Sequence, residues 1–192
     1  MAAMPSRNDF DKGTEKFFLE NARKSIEKAF RNGIKLPEPS TQNQKKLSME
    51  KAGCFVTLTI NKDLRGCIGT IEPVHPLLDG VRRNAVQSAF HDPRFLPLDE
   101  LELEEIKIEI SVLSKPVALK ETGQKAFELI KEGIHGVILD FGFTSSTFLP
   151  SVWNELPDKK EFLEHLSLKA GMDKDDWKNA KVSLYTSYAF EE

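Results

Sequence analysis

The 192-residue sequence predicts an α+β fold with mostly antiparallel pairing, and three observations carry that expectation. Strands come as hairpins: "CFVTLTI" turns through Asn61, Lys62 and Asp63 into "LRGCIGT". "IKIEISVL" alternates Ile106, Ile108, Ile110 and Val112 with Lys107, Glu109 and Ser111, the pattern of a strand solvated on one face only. Helical periods fall between and after the strands, without the regular strand and helix alternation of a parallel doubly wound sheet. The length suits a single folding unit, with room for two lobes.

Residues 1–6 read as a mobile tail. From Thr14 the recurrence of Phe18, Ala22, Ile26, Ala29 and Phe30 predicts a helix with one buried stripe, and Gly33 stands where its C-terminal cap belongs. "KLPEPSTQNQKK", from Lys35 to Lys46, shows neither period and reads as a surface loop. After the first hairpin, Leu77, Leu78, Val81, Ala85, Ser88 and Ala89 share a helical face, with Pro76 at the start and an end near Asp92, before Pro93. A short helix over Gly123 to Lys131 precedes "GVILDFGFTSSTFLP", a second hairpin that Pro150 ends. Asp158 and Glu161 resemble a capping box for a helix facing inward through Phe162, Leu163, Leu166 and Ala170, with Gly171 as its stop. Trp177 sits in a short helix or turn, and "VSLYTSYAF" predicts a final strand over 182–190.

Composition narrows function. A net charge of −3 lacks the positive field that phosphate neutralisation needs, and most of the 13 phenylalanines fall at core-periodic positions, so nucleic acid is not the expected partner. No apolar run approaches a membrane span and the first residues lack a signal's apolar core, so the expected location is cytoplasmic. Glycine-rich nucleotide loops, GxSxG, HExxH and paired CxxC are all missing, which leaves any cofactor unknown and no metal site expected. "DELELEE", residues 99–105, lacks the glycine turn and oxygen-ligand spacing of a calcium loop and reads as a solvated segment.

The two cysteines lie on the strands of the first hairpin. With the turn near Lys62 and Asp63, Cys54 faces Ile71 and Cys67 lies roughly 13 Å along. A disulfide needs Cα atoms within about 7 Å, so both thiols are expected free. Arg65 and Cys67, two apart, share a face if the strand is regular, and a guanidinium and backbone amides could make the thiol reactive. The alternative is a small buried cysteine beside glycines that mark a bulge. Of four histidines, His135 draws notice because Gly133 and Gly136 bracket it; it is either a candidate base or a turn residue bonded to its own loop. His75, His91 and His165 have ordinary structural readings at helix ends or on a solvated helix face.

"LRGCIGT", preceded by "GCFVTLTI" and followed by "DPRF", "IKIEISVLS", "GIHGVIL", "TFLP" and "FLEHLSLKAG", is similar to the AMMECR-one domain family over residues 14–190. The resemblance implies two unequal α+β lobes, each with an antiparallel sheet. The larger spans about 8–115 and 172–192, with the strand from Val182 completing the sheet begun at Cys54, and the smaller about 116–171. It implies that Leu64, Arg65, Gly66, Cys67, Ile68 and Gly69 line a cleft between the lobes and that His135 reaches it from the smaller one. Ser151 departs from the family, whose members usually carry a longer polar residue after "TFLP".

Two functions fit. In the first the chain is an enzyme, or the substrate-binding component of one, acting on a large substrate. Cys67 is then nucleophile or thiolate ligand, Arg65 orients an anionic group or lowers the thiol pKa, and His135 is the base. In the second it is a non-catalytic adaptor for a protein ligand, with Cys67 as packing and Arg65 as an ion-pair partner. The family's habit of occurring beside, or fused to, Memo-family proteins and radical S-adenosylmethionine enzymes implies partners of those classes.

Overall fold

The fold is α+β, with two four-stranded antiparallel sheets. The structure is a computed structural model and describes residues 7–192. The tail expected over 1–6 lies outside the described residues. The chain divides into two compact units, one running to Lys115 and resuming at Tyr188, the other Pro116–Ser187.

In the first unit, α1 (Lys12–Phe30) starts where the Asp11 carboxylate accepts the Thr14 amide, and it buries Phe18, Ala22 and Ile26 as its period predicts. Ala29, expected on that stripe, is exposed. The loop expected from Lys35 to Lys46 gives way at Gln42 to a helix, α2 (Gln42–Met49). Thr41 and Gln44 form a reciprocal capping box there, and Leu47 is fully buried beneath it. That signal, Thr-x-x-Gln, overrides the lack of a long apolar period.

Strands β1 (Gly53–Ile60) and β2 (Asp63–Thr70) form the expected hairpin, but the turn is tighter than expected. Asn61 and Lys62 both have positive φ, at 53° and 74°, so two residues make the reversal. A bulge between Leu58 and Thr59 then shifts the register, placing Cys54 opposite Thr70 and Cys67 opposite Thr57. α3 (Leu77–Phe90) buries all six residues of its predicted face. β3 (Lys107–Leu113) buries Ile108, Ile110 and Val112, and Ser111 is buried as well.

The second unit holds β4 (Val117–Ala118), α4 (Gly123–Leu129), the hairpin β5 (Gly136–Asp140) and β6 (Ser145–Phe148), α5 (Lys159–Lys169) and β7 (Lys181–Tyr185). Its sheet order is β4-β7-β5-β6, and Trp153 stacks on Phe162 at 3.7 Å between centroids in its core. Asp158 caps α5 by accepting the Glu161 amide. The final strand over 182–190 is two strands. β7 belongs to this second sheet, and only β8 (Ser187–Glu191) lies beside β3 in the sheet β2-β1-β3-β8. The strand from Val182 therefore does not complete the first sheet, and the return to the first unit falls at Tyr188, where the sequence reading put it at 172. Among the described residues no helix is long and apolar enough to cross a membrane.

Candidate functional site

The LRGCIG segment lies in β2, the edge strand of its sheet. Gly66 faces α3 so closely that a Cβ would stand 2.2 Å from the Ser88 carbonyl oxygen. That approach lets the Ser88 hydroxyl accept the Ile68 amide at 2.8 Å and donate to the Val56 carbonyl at 2.7 Å, linking two register partners. Gly69 makes room for the Phe55 ring, whose nearest atom lies 2.3 Å from where a Cβ would be. Leu64 is exposed.

The outward backbone of Cys67 is held by the segment that follows α3. The Asp92 carboxylate accepts the Cys67 amide at 2.8 Å, and Arg94 Nη2 donates to the Cys67 carbonyl at 3.3 Å. Arg94 also forks onto Asp92, through Nε at 3.0 Å and Nη2 at 2.7 Å. The Arg94 guanidinium holds the buried Asp92 carboxyl down at about 2.

Arg65 and Cys67 do not act together. The bulge leaves Arg65 out of the register, and its guanidinium is consumed by Glu102, at 2.7 and 2.8 Å, and by the carbonyls of Leu96 and Pro97. Phe95 lies against both guanidiniums, 6.0 Å from Arg65 and 5.5 Å from Arg94. The segment read as solvated is thus a 3₁₀ turn, Glu100–Glu104, with Asp99 capping it, Leu103 buried and Glu102 engaged with Arg65.

The Cys67 thiol accepts a hydrogen bond from the Thr57 hydroxyl at 3.3 Å. Burial raises its pKa; the Thr57 bond and the Arg94 charge oppose that shift without cancelling it, and Asp92 and Glu109 reinforce it. The cation acting on the thiol is Arg94, not Arg65. Thr57 is the register partner of both Cys67 and Glu109, so thiol, hydroxyl and carboxyl form one row across β2, β1 and β3. Burial also raises the Glu109 carboxyl, with Glu191 adding to the shift. Cys54 is fully buried under α3, accepts from Asn84 Nδ2 at 3.4 Å and is pushed by burial up to about 12. Both thiols are free.

His135 lies in the second unit and is tied to its own turn. Its amide donates to the Lys131 carbonyl at 3.0 Å, its Nδ1 accepts the Lys131 amide at 3.1 Å, and its carbonyl accepts Trp153 Nε1 at 2.7 Å. Burial, with Lys131 adding to it, lowers its pKa, so the ring is neutral near pH 7 with the hydrogen on Nε2. Gly133 supplies a φ of +71° for that turn, and Gly136 lies beneath the Tyr185 ring, 2.4 Å from a hypothetical Cβ.

Among the described residues no group of three His, Cys, Asp or Glu side chains could hold a metal ion. Nothing in the sequence marks Thr57, Ser88, Asp92, Arg94, Glu102 or Glu109 as site residues, although Ser88, Asp92 and Glu109 stand out there as helix-face, helix-end and strand positions. For Ser88 the visible signal is a hydroxyl within an otherwise apolar predicted helix face, since most buried hydroxyls are bonded.

Known proteins resemble this chain over nearly all of its length. A sequence model of the AMMECR1 family matches residues 19–190. Protein MK0488 of Methanopyrus kandleri is 40% identical over 188 residues, covering 92% of this chain and 87% of that protein. Protein Mbar_A1807 of Methanosarcina barkeri is 40% identical over 175 residues, 89% of this chain and 86% of that one. The crystal structure of the uncharacterized protein PH0010 from Pyrococcus horikoshii superposes with a TM-score of 0.85 at 34% identity, over 96% of this chain and 94% of that one.

Proposed function

Because the chain belongs to the AMMECR1 family, we propose that it is a non-catalytic binding module whose LRGCIG strand stiffens a surface for a protein partner. The observation that carries this reading is that the groups chemistry would need are already engaged. Arg65 gives its guanidinium to Glu102 and two carbonyls, which leaves little of it to orient an anion. The Cys67 thiol is raised by burial, whereas a nucleophilic cysteine needs its thiolate favoured. The acceptor nitrogen of His135, Nδ1, is occupied by the Lys131 amide, so the ring lacks a free acceptor to serve as a base.

The partners to test are those the family association suggests, a Memo-family protein or a radical S-adenosylmethionine enzyme, in the cytoplasm. The deciding experiment has two arms. The alkylation rate of Cys67 is followed against pH, and capture of a purified Memo-family protein is compared for the wild type, Cys67→Ala and Cys67→Ser. The module reading expects a thiol midpoint at or above the ordinary value of about 8.5 and full capture by both variants. A midpoint below about 7 supports the nucleophile and overturns the reading. So does capture that needs the sulfur.

A further inference from the structure

The 3₁₀ turn Glu100–Glu104 that holds Arg65 through Glu102 also lines a groove. Together with the end of α1 it bounds about 620 Å³ there. Its apolar lining is Leu98, buried, Phe30, half-buried, and Leu101, 85% exposed. The rim is acidic, with Asp99, Glu100 and Glu104. Its one cation, Arg31, is neutralised by Glu100 at 2.7 Å, and Glu104 adds to the negative field at Arg31 and Arg23 without an ion-pair contact to either. The carbonyl end of α1, which closes at Phe30, adds negative potential at the same place. Leu101 thus stands exposed between Asp99, one of whose oxygens accepts the Leu101 amide at 2.9 Å, and Glu104, so apolar and acidic groups face solvent together.

We propose that this groove receives a basic segment of a partner protein, one carrying a single large aliphatic or aromatic side chain flanked by lysine or arginine. The anchor covers Leu101 and rests on Phe30 and Leu98, while the flanking cations meet Asp99 and Glu104. Charge complementarity selects this occupant: the rim carries three carboxylates against the single guanidinium of Arg31, so a basic segment balances it where an acidic one of equal apolar content meets like charge. The inference rests on the binding-module reading and names the kind of segment such a partner offers.

The test uses the full chain and two labelled nine-residue peptides of matched apolar content, Leu-Phe at the centre, with lysines on the flanks of one and glutamates on the flanks of the other. Fluorescence anisotropy should show the lysine peptide binding at least ~10-fold more tightly, and weakening as salt rises from ~50 to ~500 mM. Leu101→Ser and Glu104→Lys should each weaken it by ~5-fold or more. Both positions are exposed, so a wild-type urea midpoint verifies that the variants fold. Equal binding of the two peptides, no binding of the lysine peptide below ~1 mM, or indifference to both variants overturns the proposal. A Cys67 thiol midpoint below about 7 would remove the module reading and leave the peptide result standing. Partner capture by Cys67→Ala with no peptide binding would remove only the groove.

Discussion

Asp92 grips the backbone of Cys67, its carboxylate accepting the Cys67 amide at 2.8 Å across 25 residues of sequence. β2 is an edge strand, and an edge amide left open is a template for pairing with other chains. Asp92 closes that position, and Arg94 closes the matching carbonyl. Asp92→Ala leaves a part-buried amide without its acceptor and Arg94 without its partner, so it should lower stability by about 1–2 kcal/mol in urea unfolding, with an unchanged m-value. Asp92→Asn keeps an acceptor and should recover about half. An unchanged midpoint for Asp92→Ala would mean that the grip contributes nothing.

The same carboxylate sets an acid limit. Its folded pKa is held by Arg94 at about 2, below the ordinary value near 3.8, so the folded state binds the proton less readily than the unfolded chain. The stabilisation is therefore fully present above pH 5 and is lost as pH falls from about 4 to about 2. With Arg94 half in solvent, its size should be about 1–2 kcal/mol. Unfolding midpoints measured between pH 6 and pH 2.5 should fall more steeply for the wild type than for Asp92→Asn, and parallel curves would exclude Asp92 as the source.

Gly66 should tolerate no side chain. Its φ is unremarkable, so the constraint is the Ser88 carbonyl, 2.2 Å from a Cβ. Backbone cannot swing aside as a flexible side chain can, and moving α3 outward would break the Ser88 relay to Ile68 and Val56. Gly66→Ala should cost about 3 kcal/mol or more, measured by thermal or urea melting. Ser88→Ala in the same background should cost less than it does in the wild type, because the relay is already broken. Additive losses would show that the two positions do not share this contact.

Local patterns were legible in the sequence and distant pairings were not. The six inward residues of α3 repeat every three or four positions, and β3 alternates, so each element declares its face by itself. The terminal segment misleads for a physical reason: Val182, Leu184, Tyr188 and Phe190 keep even spacing through Thr186, so the alternation carries no mark where the chain changes sheet. Arg65 finds its carboxylate 37 residues away, within a run whose charges suggest only hydration. The period of that run cannot tell which of its five carboxylates turns inward.

Arg65 and Glu102 are the last pair to test, because their coupling separates a clamp from an anion-binding arginine. The fork is bidentate, and both side chains are mostly covered, at 16% and 29% exposure. Lysine can replace the charge but not the two parallel bonds or the reach to Leu96 and Pro97. Arg65→Lys should therefore cost about 1–2 kcal/mol, and a double-mutant cycle with Glu102→Gln should return a coupling of about 1–2 kcal/mol. Amide hydrogen exchange across 94–98 should quicken in either single variant, since the guanidinium holds that segment to β2. If Arg65 instead serves an anionic ligand, Glu102→Gln would release it with little loss of stability and a coupling near zero.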